Sequence, residues 1–322
     1  MAADIRIGIS GWRYPPWRKV FYPDDLTQAR ELEFASRALS SIELNGSFYG
    51  LQRPSSYQRW YEQTPPGFIF SIKATRYVTH ILRLRDIEIA MANFFASGLL
   101  ALKEKLGPVL WQFPPSFKFD VDLFESFLQQ LPHDTDAVAR LAQQHGPELD
   151  GRTFFAVDEC RPLRHALEIR HASFAQSDFI ALLRRYKVAL VVADTAGKWP
   201  YLEDVTADFM YLRLHGDAEL YASGYSDQAL ARWAERIRCW SLGRVPEDAQ
   251  LAAEGHPASH GKARDIYCYF DNDIKVRAPF DARKLIHLLG REEGLAPLDE
   301  SALNKLVKPA RNAVSGRRQV EK

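Results

Sequence analysis

The chain has 322 residues, 46% of them hydrophobic, and 42 Lys and Arg against 41 Asp and Glu give a formal net charge of +1. That composition can bury a large core, in one large domain or two ordinary ones. Near-neutrality argues against a surface built to coat nucleic acid, though it leaves room for a local basic patch.

Cys160, Cys239 and Cys268 are widely spaced and odd in number. They suit a reducing compartment, with no disulfide framework and no metal-finger spacing. No apolar run approaches the roughly 20 residues of a membrane span, and MAADIRIG lacks a signal-peptide pattern. The expectation is a cytoplasmic protein with no membrane partner.

In chain order, Ile5–Gly11 reads as a strand, followed by an aromatic, proline-rich loop, WRYPPWRKVFYPDD. Helical spacing over Leu26–Leu39 leads to a second strand, Ser41–Phe48, with Glu43 and Asn45 opposite Ile42 and Leu44. A short helix at Ser55–Gln63 precedes strand Phe68–Ala74, which sets Ser71 and Lys73 opposite Phe70 and Ile72. Asp86–Leu106 reads as one long helix with an N-cap at Asp86. Pro108–Phe113 is a fourth strand carrying Gln112, stopped by Pro114 and Pro115, and helices follow at Val121–Gln130 and Thr135–His145.

A fifth strand, Ala166–His171, turns Glu168 and Arg170 away from Leu167 and Ile169. Helix Gln176–Tyr186 leads to strand Val188–Thr195, which ends in Asp194, and WPYLEDVTAD after it has no useful helical period. Phe209–Gly216 alternates strictly, with Met210, Leu212 and Leu214 on one face and Tyr211, Arg213 and His215 on the other. Helix Ser226–Ser241, strand Ile266–Asp271 and helix Asp281–Leu289 complete the pattern. Eight strands mostly alternating with helices predict a single α/β domain, a closed (β/α)8 TIM-type barrel over residues 1–304. A doubly wound open sheet is the rival, but the first strand runs into GISGW and not into a glycine-rich turn opening a helix. Residues 305–322 read as a basic, disordered tail.

Polar residues at C-terminal strand ends are where barrels of this type carry out chemistry. They give Glu43, Glu168, Asp194, His171 and His215 as candidate acid–base residues. Asn45, Lys73, Gln112, Arg170, Arg213, Asp271 and Asn272, with the loop aromatics Trp12 and Tyr49, are candidates for substrate binding. Guanidinium and ammonium groups suit a small substrate bearing phosphate or carboxylate, with acid–base chemistry at the mouth and no cofactor. Arg170, Arg213 and Lys73 are expected to converge there as an anion site. Aromatics near cations further suit a sugar or nucleotide.

Two alternatives stay open. One is a metal-dependent hydrolase or isomerase using the histidines and carboxylates, although the cations would repel a divalent ion and HxxxH and HxH spacings are missing. The other is a nucleic-acid-binding module, since Arg53, Arg76, Arg83, Arg85 and Lys118 bias the loops after strands two to four. Nucleophilic serine chemistry lacks a GxSxG motif, and Cys268 should lie on the helix-covered face.

The segments IGISGW, IELNGSFYG, FIFSIKA, VLWQFPPSF, RPLRHALEIRHASF, YLRLHG and YCYFDND resemble, in order, the signature segments of the YecE-like family, a "domain of unknown function" family. The resemblance runs from about Ile5 to Leu289. It implies a TIM barrel and no particular reaction. Two segments depart from the family pattern: NGSFYG where NxTFY is commoner, and FDND where FNND is commoner, which puts a carboxylate at Asp271.

Overall fold

The computed structural model describes residues 2–216, 224–253, 261–271 and 276–298. Eight parallel strands close into a barrel in sequence order. They are β1 (Ile5–Ser10), β2 (Ser41–Leu44), β3 (Ile69–Lys73), β4 (Leu106–Gln112), β5 (His165–Glu168), β6 (Ala189–Asp194), β7 (Phe209–Leu214) and β8 (Asp265–Phe270). Closure is direct, because β1 pairs with β8 from Ile5↔Ile266 through Ile9↔Phe270. The strand alternation read from the sequence is the barrel's inside–outside alternation.

Outward residues such as Ile42, Ile72, Leu190, Leu212 and Cys268 pack under the helices in one continuous layer. Inward residues form a second cluster in which Ala166, Ala189 and Ala193 leave space for Tyr211, Tyr267 and Tyr269. Gly8 belongs to the same economy of space: a Cβ there would fall on the Ser41 carbonyl oxygen of the neighbouring strand.

The covering helices are α1 (Glu31–Ala38), α2 (Gly46–Tyr49), α3 (Pro54–Gln63), α4 (Glu88–Ala96), α5 (Val121–Gln129), α6 (Thr135–Ala142), α7 (Ser177–Arg185), α8 (Asp227–Ser241) and α9 (Ala278–Leu288). Short side chains fix several starts. Asp120 accepts from the Leu123 amide (3.0 Å), Asp134 from Ala137 (2.6 Å) and Ser226 from Ala229 (3.1 Å), each satisfying an orphan donor of the first turn. The link from β6 to β7 carries no helix or strand, as WPYLEDVTAD predicts.

Three expectations are corrected. The long helix Asp86–Leu106 is broken. α4 starts at Glu88, and Asp86 is not its cap but sits at φ +50°. After Ala96 the chain turns at Gly98 (φ +124°), where a Cβ would lie 2.7 Å from Pro54 Cα, and continues as 3-10 turns to Lys105. Close approach of α3 therefore requires the glycine, and glycine's freedom ends the helix.

The second strand stops at Leu44, because Asn45 already has helical dihedrals and α2 follows. The fifth stops at Glu168, leaving Arg170 and His171 in the loop beyond it. The expected tail, residues 305–322, lies outside the described residues, as does Asn272.

Candidate active site

At the C-terminal mouth, Arg213 is enclosed by three carboxylates, and its side chain has no exposed surface. Its Nε donates to Glu43 Oε2 (3.1 Å) and Nη1 to Glu168 Oε2 (2.6 Å). Nη2 donates to Glu43 Oε1 (2.9 Å), Asp271 Oδ2 (2.7 Å) and Ser10 Oγ (3.2 Å). Every edge of the guanidinium is used. Such a fork is stable in the interior because each charge it meets is opposite and directional.

Burial opposes the charge on Arg213, but Glu43, Glu168 and Asp271 together raise its pKa well above the ordinary value. Glu168 responds in kind. Burial favours its neutral form, yet Arg170, Arg213, His215 and Lys73 hold it well below the usual carboxylate range. Burial likewise opposes ionisation of Asp271, but Arg213 and His215 bring it down to about 2.

The remaining lone pairs of Glu43 and Glu168 are also occupied. The Tyr211 hydroxyl donates to Glu43 Oε2 (2.7 Å), Ser10 Oγ donates to Glu43 Oε1, and Gln112 Nε2 donates to both oxygens of Glu168 (2.9 Å each). Asn45 Nδ2 donates to Ser10 Oγ (2.9 Å), while its buried Oδ1 meets no donor among the described residues. His215, fully buried, sets Nδ1 3.2 Å from Asp271 Oδ2. This floor is a saturated brace, so Arg213 offers no face to a substrate, contrary to the expected anion site. Its partners could not be read locally, because Glu43 and Asp271 lie 170 and 58 residues away in sequence.

Arg170 and Lys73 behave differently. Arg170 Nε donates to Glu168 Oε1 (2.8 Å), and its guanidinium lies over the Trp199 ring, 3.7 Å from the centroid. Its terminal nitrogens have no partner among the described residues, and the side chain is 13% exposed. Lys73 Nζ stands 4.3 Å from the Phe48 ring centroid and has neither a hydrogen bond nor an ion pair among the described residues. Burial, with repulsion from Arg213, lowers its pKa to about 8 against the pull of Glu168, Glu43 and Asp271.

His80, missed in the sequence, packs edge-on to the same Phe48 at 5.1 Å. Burial and the cations Arg76, Lys73, Arg170 and Arg83 push it down to about 4, so it is neutral at pH 7. It sits in a π-helical turn, Tyr77–Ile81, followed by Arg83, Leu84 and Asp86 at positive φ. Backbone of this kind clusters at functional sites, but a hydrophobic pattern does not encode it.

Other candidates lie elsewhere. Asp194 shares the outward register of Leu190 and Val192 and accepts from the Tyr225 hydroxyl (3.0 Å), so it does not belong to the arginine brace. His171 caps the turn Ala172–Phe174, with Nδ1 accepting from the Ser173 amide (3.1 Å). Trp12 is not a mouth aromatic. It is buried, 5.6 Å edge-on from Trp60 in the outer layer. Tyr49, by contrast, is 76% exposed beside Phe48. The three carboxylates of the floor surround a guanidinium, which occupies the centre a divalent ion would need, so the donor set does not suit a metal there.

The profile described as "Protein of unknown function DUF72" matches residues 6–304. The chain belongs to this family. Among curated relatives, UPF0759 protein YunF of Bacillus subtilis (strain 168) is 31% identical over 118 residues, 35% of this chain and 41% of YunF. UPF0759 protein YecE of Escherichia coli (strain K12) is 26% identical over 156 residues, 48% of this chain and 52% of YecE. The chain thus spans about half the length of the curated relatives it matches. The YecE-like resemblance of the sequence segments agrees with both.

Two crystal structures of DUF72 proteins share the fold. That from Thermotoga maritima MSB8 has a TM-score of 0.66 at 24% identity, over 89% of this chain and 99% of that one. That from Enterococcus faecalis V583 has 0.63 at 18% identity, over 89% and 95%. Among the described residues no helix is long and apolar enough to cross a membrane.

Proposed function

We propose that this DUF72 barrel is an enzyme acting on a small substrate that carries a phosphate or carboxylate, with acid–base chemistry at its C-terminal mouth. One observation carries the reading. Arg170 is held by Glu168 on one edge and by Trp199 on one face, leaving its outer edge open, and the buried Lys73, which with Arg170 acts on the same His80, is unpaired among the described residues. A guanidinium fixed in this way is preorganised for an oxyanion, because little further entropy is lost on binding.

The floor beneath adds no net repulsion. Glu43, Glu168 and Asp271 are balanced by Arg213, Arg170 and Lys73, and Arg76 and Arg83 add positive charge at the rim. Lys73, near pKa 8, exchanges protons near physiological pH, and His80, neutral there, offers a hydrogen-bonding imidazole. Glu43 and Glu168 then orient the cations and need not act as acid or base themselves.

Inorganic phosphate should raise the melting temperature of the wild type, with a stabilisation of about 2.7 kcal/mol at a hundred times its Kd. Arg170→Leu should remove most of that shift. An equal shift in both proteins, or none in the wild type, would overturn the reading.

A second reading is favoured by one feature. Tyr49 and Tyr77 are 76% and 52% exposed, with Arg53, Arg76, Arg85 and Lys118 also at the surface. Exposed aromatics near cations suit stacking of single-stranded nucleic acid. Steeply salt-dependent oligonucleotide binding that depends on Tyr49 would support it.

A further inference from the structure

Among the described residues two lysines are buried, and they differ in one respect. Lys105 Nζ donates to Tyr61 O (2.6 Å), Thr64 O (2.7 Å) and Thr64 Oγ1 (3.1 Å), so all three of its protons are taken and it is a structural tie. Lys73 Nζ, at the end of β3, donates to nothing among the described residues. It stands among Glu43, Glu168 and Asp271, yet Arg213 engages each of these. An ammonium left without acceptors in a protein interior is costly. The cost falls when the amine is neutral or when it is covalently engaged with a carbonyl compound.

We infer that Lys73 Nζ is a nucleophile that forms an imine with the aldehyde or ketone of a substrate whose anionic group is held by Arg170. This rests on the function proposed above and narrows it to carbonyl compounds.

The groups facing Lys73 fit the step. Arg213 disfavours the ammonium, while Glu168, Glu43 and Asp271 favour it but stay bound to guanidinium groups. Burial and Arg213 bring the amine to about 8, so roughly a tenth is free at pH 7. The free amine attacks the carbonyl carbon, a C–N bond forms, and the oxygen takes a proton. The nitrogen loses a proton, the oxygen takes a second one, the C–O bond breaks as water leaves, and a protonated imine remains. The balance is one ammonium plus one carbonyl giving one iminium plus one water, with no other reactant needed.

His80 packs on the same Phe48 ring and is neutral. With Nδ1 bonded to Thr79 Oγ1 (2.8 Å), it retains Nε2 for the proton transfers of dehydration. The iminium would then accept electrons from an adjacent C–H or C–C bond, which places the reaction among aldol-type cleavages, decarboxylations and dehydrations.

Pyridoxal 5′-phosphate, an aldehyde bearing a phosphate, is the probe. The wild type is incubated with limiting probe at pH 7.5, reduced with sodium borohydride and mapped by peptide mass. Labelling should fall on Lys73 ahead of other lysines and be blocked by inorganic phosphate. Arg170→Leu should lower it at least tenfold. Lys73→Arg, which keeps the cation but removes the primary amine, should abolish it. If phosphate shifts the melting temperature but the label lies only on other lysines, the nucleophile is wrong and the anion site stands. If neither phosphate nor probe engages the wild type, the functional reading fails with it.

Discussion

Arg213→Met will destabilise the fold by about 3–5 kcal/mol, because it leaves Glu43, Glu168 and Asp271 as buried carboxylates without their common cation. At roughly 2–3 °C per kcal/mol for a chain of this size, the melting temperature falls by about 10 °C. The deficit depends on pH. In the wild type, Glu168 and Asp271 are held below their ordinary values. Their stabilising contribution is therefore present above about pH 4 and fades as pH falls through the folded pKa, about 2 for Asp271. In the variant, burial acts without the guanidinium and the folded pKa values rise, so protonation restores stability. The gap between the two proteins should narrow on acidification toward about pH 5. Thermal unfolding from pH 8 to pH 5 checks this. An unchanged melting temperature with lost phosphate binding would instead make Arg213 a ligand contact.

Gly8→Ala should be nearly as damaging, for a reason of packing. A methyl at this position would fall on the Ser41 carbonyl oxygen, with Ser41 carbonyl carbon only 2.6 Å away. Both belong to main chain paired across β1 and β2, so no side chain can swing aside. The strands must separate where the barrel also houses Tyr269, whose hydroxyl lies 2.8 Å from Ser41 Oγ. Overpacking of this kind costs about 1–3 kcal/mol where side chains can adjust, and a main-chain clash belongs at the upper end. Urea unfolding should show the loss, with faster amide exchange in β1 and β2. A midpoint equal to that of the wild type would mean the barrel opens at this seam at little cost.

The barrel itself was legible because its signal is local. In Phe209–Leu214 the backbone alone puts Tyr211 and Arg213 on the opposite face from Met210, Leu212 and Leu214, and the same alternation located Glu43, Lys73 and Glu168 at the mouth. The roles of these residues were not legible. Whether an inward arginine is open or enclosed depends on which distant carboxylates reach it, and Arg213 met Glu43 from β2, Glu168 from β5 and Asp271 just past β8. Asp194 was misread because a strand-end carboxylate looks alike on either face, and only its even register, shared with Leu190 and Val192, sends it toward Tyr225. Trp12 was taken for a mouth aromatic because a proline-rich loop gives no periodicity, and its edge-on contact with Trp60 is tertiary. His80 left no trace at all, since its place depends on a π turn and on Phe48 from α2.

The central claim is that a closed, charge-balanced brace at Arg213 supports an open anion seat at Arg170 and Lys73. Selenate soaked into crystals and located by its anomalous scattering tests this most directly. The account predicts a selenium peak in the mouth, with its oxygens within hydrogen-bond distance of the terminal nitrogens of Arg170 and of Lys73 Nζ, and Arg213 still enclosed by its carboxylates. A mouth without selenate, in crystals where Arg170 is instead bonded on all edges by protein, would contradict it.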